Sequence, residues 1–215
     1  MLIAVATRKG GVGKTTLATN LAARRVRDTT SVKFVDADRD EYGYMWGMSR
    51  REKGVEPNII LSKATGNITS DLVADRASND TVIVDVGGKY SPEIVYAVGV
   101  CDVLVLPVRP GQFDAWSLQA MANMINEMRA AGRSFRVVPV MSAIPAQENS
   151  TLTANISAAL KNFPDEFPDP LKIPERVAYV NAAMTGKGVC ELPRNRDNAP
   201  AIDELEVLYR RVFNV

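Results

Sequence analysis

Lys9-Gly10-Gly11-Val12-Gly13-Lys14-Thr15-Thr16 follows directly on an apolar run at residues 2–6 and opens a helical stretch at residues 15–27. Strand, glycine-rich turn, then helix is the order that lets backbone N–H groups converge on phosphate oxygens, because glycine has no Cβ to hold the ligand away. In that setting Lys14 is expected to neutralise the β and γ phosphates, the Thr15 hydroxyl to ligate Mg2+, and Thr16 to reach the α phosphate. Gly10, Gly11, Val12 and Gly13 would form the cradle. The ordinary phosphate-loop pattern asks for a glycine at position 8. This chain has Arg8 there and a second lysine, Lys9, beside it.

Outward from the loop, short and almost purely apolar runs recur at residues 32–35, 59–61, 82–84, 103–106 and 137–140. Runs rich in Val and Ile that lack polar alternation suit strands covered on both faces. Helix-length segments separate most of them, at 112–131, 150–160 and 201–213, and the first of these carries Leu118, Met121, Ile125 and Met128 at helical spacing, as a core stripe does. A Pro/Asp-rich loop at 163–170 precedes a last short strand near 171–173. The pattern predicts one α/β domain over residues 1–215, with a mostly parallel, twisted sheet flanked by helices on both faces.

Composition narrows the chemistry. The 215 residues include no histidine, which excludes a Ser-His-Asp triad, a Cys-His pair and an HExxH zinc site. Cys101 and Cys190 match no CxxC, zinc or haem spacing and read as buried thiols of a reducing compartment. With 26 Lys+Arg against 25 Asp+Glu, the formal net charge is +1, so any contact with nucleic acid must come from a local basic patch. Only short apolar runs occur, and neither a membrane span nor a signal peptide is expected.

Two acidic motifs complete the candidate site. The run at 32–35 enters Asp36-Ala37-Asp38, and residues i and i+2 of a strand face the same way, so both carboxylates can point into a phosphate crevice. Thr81-Val82-Ile83-Val84-Asp85 is an apolar strand ending in aspartate, a position suited to holding Mg2+ through its water shell. Gly87-Gly88 follows, either to admit a phosphate or as a tight turn.

The loop KGGxGK[ST] at Lys9–Thr15, the D-x-D pair and the strand ending in Asp85 resemble the deviant Walker A ATPases of the ParA/MinD superfamily. The resemblance implies that Lys9 reaches across an ATP-bound homodimer to the partner's nucleotide, a cation supplied in trans as an arginine finger is. It also implies that Asp36 helps hold the Mg2+ water shell and that Asp38 prepares the attacking water. Relatives usually continue Pro-Gln where this chain has Arg39-Asp40, which leaves Asp40 a rival to Asp38. Leu106-Pro107-Val108-Arg109-Pro110 with Asp114, the stretch at 179–191 and Trp46 resemble segments of small plasmid partition ATPases of the ParF kind. With Met1 directly before the first strand, the N-terminal helix-turn-helix of the larger ones is not expected.

The branches anchored to membranes end in a basic amphipathic helix, whereas Asp203, Glu204 and Glu206 make this chain's last segment a docking helix. The iron-protein branch needs two cluster cysteines; Cys101 falls in a helix-like segment and Cys190 near the C-terminus. Lys187, Arg194, Arg196, Arg210 and Arg211 are the candidates for phosphate contacts to non-specific DNA, against the alternative of ordinary solvated charge. The cluster Tyr42-Gly43-Tyr44-Met45-Trp46 reads either as a partner surface or as local core. The resemblance as a whole implies a cytoplasmic, nucleoid-associated ATPase that segregates DNA with a small ParB- or ParG-like centromere-binding partner. The alternatives are a positioning ATPase for a protein cargo or division complex, and a metabolic P-loop synthetase.

Overall fold

A computed structural model describes residues 1–88, 91–109, 115–145 and 151–215. Pro110, Gln112, Asp114 and Ser150 lie outside them. Seven strands form one sheet: β1 (Leu2–Val5), β2 (Val32–Ala37), β3 (Ile60–Lys63), β4 (Thr81–Val86), β5 (Val103–Val108), β6 (Arg136–Ile144) and β7 (Leu171–Pro174). Their order is β3-β2-β4-β1-β5-β6-β7, and every ladder is parallel, so the sheet expected to be mostly parallel is wholly so among the described residues. The chain moves to one side of β1 through β2 and β3 and to the other through β5, β6 and β7. The carboxyl end of β1 therefore lies at the reversal of strand order, where open sheets of this kind hold ligands.

Helices cover both faces, as the apolar strands require. Leu2 and Ala4 of β1 join one core layer with Leu72 of α3 (Thr69–Ser78), Ile94 of α4 (Glu93–Val98), Leu118, Met121 and Ile125 of α5 (Ala115–Ala130), and Ile156 of α6 (Thr151–Leu160). Ile3 and Val5 point to the other layer, with Leu17 and Leu21 of α1 (Lys14–Arg25), Trp46 of α2 (Tyr42–Glu52), Ala178 of α7 (Val177–Met184), and Leu205 and Leu208 of α8 (Ala199–Phe213). Full burial of each large aliphatic side chain contributes about 1.5–3 kcal/mol. The last segment is the docking helix its acidic residues indicated: Tyr209 and Phe213 stack at 4.6 Å beneath the guanidinium groups of Arg24 and Arg25.

Four helices were not among the segments expected from the sequence: α2, α3, α4 and α7. In α2 the aromatic cluster divides, with Trp46 buried against Phe34 while Tyr42 and Met45 face outward. Cys101 is not in a helix; it occupies the turn before β5, where burial pushes its thiol up to about 12. No described helix is long and apolar enough to cross a membrane.

Candidate functional site

The phosphate loop leaves β1 and turns into α1 through Gly11 and Gly13, both at positive φ (68° and 85°). Gly13 precedes the first helical residue, and no side chain caps that end of α1. Its first-turn N–H groups, which have no partner within a helix, are thus left for a ligand. Lys14 is buried and its Nζ donates to the carbonyl of Lys9 at 3.1 Å. Burial lowers the Lys14 pKa, while the charges of Asp85 and Asp38 raise it. Lys9 is half-buried, and its side chain makes no ion pair with the described residues. Thr15 is half-buried and Thr16 exposed at the mouth. Ser142, reaching over from β6, fixes the loop by donating to the Val12 carbonyl at 2.6 Å.

The parallel register brings two carboxylates side by side: Asp36 of β2 pairs with Asp85 of β4. Their environments differ sharply. Asp36 accepts from the Asp38 N–H at 2.9 Å and from the Tyr44 N–H at 2.7 Å, so it ties down the two-aspartate turn and the start of α2. Asp85 is wholly buried, and neither of its oxygens completes a hydrogen bond. Burial pushes its carboxyl up to about 7; the nearby Thr15 hydroxyl and Lys14 hold the shift back, and the Asp36 and Asp38 charges add to it. Asp38 is half-buried beside Gly87, and its charge acts on Lys14. Asp40 is exposed and donates its backbone N–H to Asp38 Oδ1 at 3.2 Å.

Gly88 shows why the residues after Asp85 are small. A Cβ there would stand 2.8 Å from the Lys9 carbonyl oxygen, 2.9 Å from the Gly10 nitrogen and 2.9 Å from Lys14 Nζ. Two of these are backbone atoms and cannot swing aside. Gly88→Ala is therefore expected to displace the loop and weaken ADP binding at least tenfold, about 1.4 kcal/mol. Calorimetric titration checks this; unchanged affinity would mean that the loop adjusts without loss.

A cavity of about 290 Å³ adjoins the loop at Gly11, Gly13 and Thr16. Its far wall comes from Ile173, Pro174 and Glu175 at the end of β7 and from Arg176, Tyr179 and Val180 at the start of α7. Arg109 spans its edge, donating to the Gly11 carbonyl and to Glu175 Oε2, each at 3.3 Å. Ala143, at φ 48°, also lines it beside the register shift between β6 and β7. Sequence reasoning assigned none of these wall residues to the site. The available signal was their position at the carboxyl end of a strand.

Three of the basic residues singled out for DNA form ion pairs within the chain. Arg194 pairs with Asp203 at 2.9 Å, Arg211 with Asp169 at 2.8 Å, and Arg210 more loosely with Glu206 at 3.6 Å. Lys187 is half-buried near α2, where its carbonyl accepts from the Trp46 indole, and Arg196 is exposed. Among the described residues, no group of three or more Cys, Asp or Glu side chains forms a ready metal cage.

Residues 3–189 match the family model described as the CobQ/CobB/MinD/ParA nucleotide binding domain. The maintenance of carboxysome distribution protein A of Halothiobacillus neapolitanus is 26% identical over 208 residues, covering 94% of this chain and 93% of that protein. Protein ParA of Rhizobium radiobacter is 26% identical over 217 residues, covering 99% and 96%. Among solved structures, the ATP complex of an Asp→Ala variant of Cyanothece McdA superposes with a TM-score of 0.74 at 17% identity, covering 100% of this chain and 96% of that one.

Proposed function

Because the chain belongs to the CobQ/CobB/MinD/ParA nucleotide-binding family, we propose that it is an Mg2+-dependent ATPase that dimerises on ATP and segregates plasmid or chromosomal DNA. In this reading the ATP dimer binds nucleoid DNA without sequence preference in the cytoplasm, and a small centromere-binding partner speeds hydrolysis and release. The observation that carries it is the pair of lysines on one loop. Lys14 is buried on the Lys9 carbonyl, whereas the Lys9 side chain makes no ion pair with the described residues. A second copy facing the mouth would give it one.

Within the site, Lys14 and the first-turn N–H groups of α1 hold the phosphates of ATP. The cavity bounded by Ile173, Glu175 and Arg176 receives the nucleoside. The donor set fits Mg2+: the Thr15 hydroxyl and the Asp36 and Asp85 carboxylates are hard oxygens, and the two Asp85 oxygens are buried without hydrogen bonds. When bound, the ion neutralises charge on the departing phosphoryl group. Asp38, the carboxylate whose charge acts on Lys14, orients water, and Asp40 acts on Asp38 through its backbone N–H.

The test is to compare Asp38→Ala with Asp40→Ala. Asp38→Ala should still dimerise on ATP and stay on random-sequence DNA, with turnover reduced about a hundredfold. Asp40→Ala should turn over within about threefold of wild type. DNA retention should need ATP and fall steeply with salt; normal turnover by Asp38→Ala, or salt-independent DNA binding, would sink the reading. The resemblance to a carboxysome distribution protein favours a second reading, in which the same cycle positions a protein cargo. Capture of a protein assembly by the ATP dimer, with no centromere complex formed, would select it.

A further inference from the structure

Several residues noted in the sequence, Trp46 and the part of the stretch at 179–191 beyond Val180, have no role in the site as described. They meet in the interior. Arg50 of α2 is 2% exposed, and all five of its guanidinium N–H groups are used. Nη1 and Nη2 donate to the two oxygens of Glu191 at 2.7 and 2.8 Å, Nη1 also donates to the Gly186 carbonyl at 3.3 Å, and Nε and Nη2 share the Pro57 carbonyl. Gly186 lies so close that a Cβ would stand 2.6 Å from the Arg50 backbone. Glu191 in turn accepts from the Gly188 N–H at 2.9 Å, and the next N–H, that of Val189, donates to Asn20 Oδ1 at 2.7 Å. Asn20 Nδ2 donates to the Thr16 carbonyl at 2.7 Å, in the first turn of α1. At the other end of α2, Tyr44 N–H is held by Asp36.

We propose that Asn20, Glu191 and Arg50 are positioning residues, a buried polar relay that sets the spacing between the phosphate loop's helix and the two-aspartate turn. Neither end would need it for folding alone, since α1 and α2 each pack on the sheet through apolar residues. The geometry matters because Thr15 stands on one helix and Asp36 and Asp38 lead into the other, and a displacement of about 1 Å in such a constellation can cost a hundredfold in rate. The kinetic consequence rests on the ATPase reading above; the structural coupling does not.

The test breaks the relay at two separate points. Asn20→Leu keeps the volume and deletes both hydrogen bonds; Arg50→Met with Glu191→Leu removes the pair together, so no lone buried charge remains. Each should lower kcat at least tenfold with ADP affinity within about threefold of wild type, and combining them should do little more than the worse of the two. Arg50→Lys should not restore the rate, because an ammonium cannot reproduce the five-donor fork. Independently of activity, hydrogen exchange on the nucleotide-free Asn20→Leu protein should speed the Tyr44 amide at least tenfold while amides of β4 keep their protection. An unchanged Tyr44 amide, multiplying effects on kcat, or a parallel loss of ADP affinity would overturn the relay. If the wild-type protein hydrolyses no ATP, the proposed function fails while the exchange arm still decides the relay.

Discussion

Lys9→Ala is expected to abolish ATP-driven dimerisation and to lower turnover about a thousandfold, the range seen when a cation supplied in trans is removed. ADP binding should stay within about threefold of wild type. The asymmetry follows from the loop. Lys14 is the lysine committed to its own site, since its Nζ is buried on the Lys9 carbonyl and feels Asp85 and Asp38. Alanine at position 9 keeps that carbonyl and removes only a side chain that makes no ion pair with the described residues. Light scattering with ATP and titration with ADP make the comparison directly. An equal loss of both would assign Lys9 to its own nucleotide and remove the ground for a dimer-dependent cycle.

The central strands could be read from sequence because burial on both faces leaves them no polar alternation; Val82-Ile83-Val84 and Val103-Leu104-Val105 have nothing to present to water. The edge strand β3 shifted by comparison, from 59–61 to Ile60–Lys63, because an edge carries a weaker apolar signal. Helix α2 could not be read. Gly43 and Gly47 are poor helix formers placed where the helix lies against Phe34 and Leu61, and its start is held by Asp36, eight residues before Tyr44, not by a local cap. The phosphate loop was legible because its chemistry is contiguous in the chain. The hydrogen-bond chain through Arg50 and the cavity wall were not, since Asn20 meets Val189 and Gly11 meets Arg109 only through the fold. The partners of the basic residues were hidden for the same reason: Arg211 meets Asp169, 42 residues away, only through the fold.

The two oxygens of Asp85 that lack hydrogen bonds tie stability to function, and Asp85→Asn is expected to show both effects. The Asp85 carboxyl is pushed up to about 7 from an ordinary 3.8. Between those values the folded protein holds a proton that the unfolded chain has released, so stability must fall as pH rises from about 4 to about 7. Three pH units correspond to at most about 4 kcal/mol, or roughly 10 °C in melting temperature for a chain of this size. Asp36, raised by burial, acts in the same direction, while Asp28 and Glu206, lowered by their hydrogen bonds, lose stability only at more acid pH. Asparagine has no proton to lose. The nucleotide-free variant should therefore show a much flatter melting profile from pH 5 to pH 7.5 than wild type, and the slope is the quantity to compare because a buried amide is itself unpaired. The same change removes the charge that would face Mg2+, so turnover should fall about a hundredfold or more and should not recover with added Mg2+. A wild-type slope retained by Asp85→Asn would mean that Asp85 is ionised in the free protein. Full turnover would remove it from the ion's surroundings. Both expected results together would mean that the fold tolerates an unfavourable carboxylate at the end of β4 because the reaction needs one there.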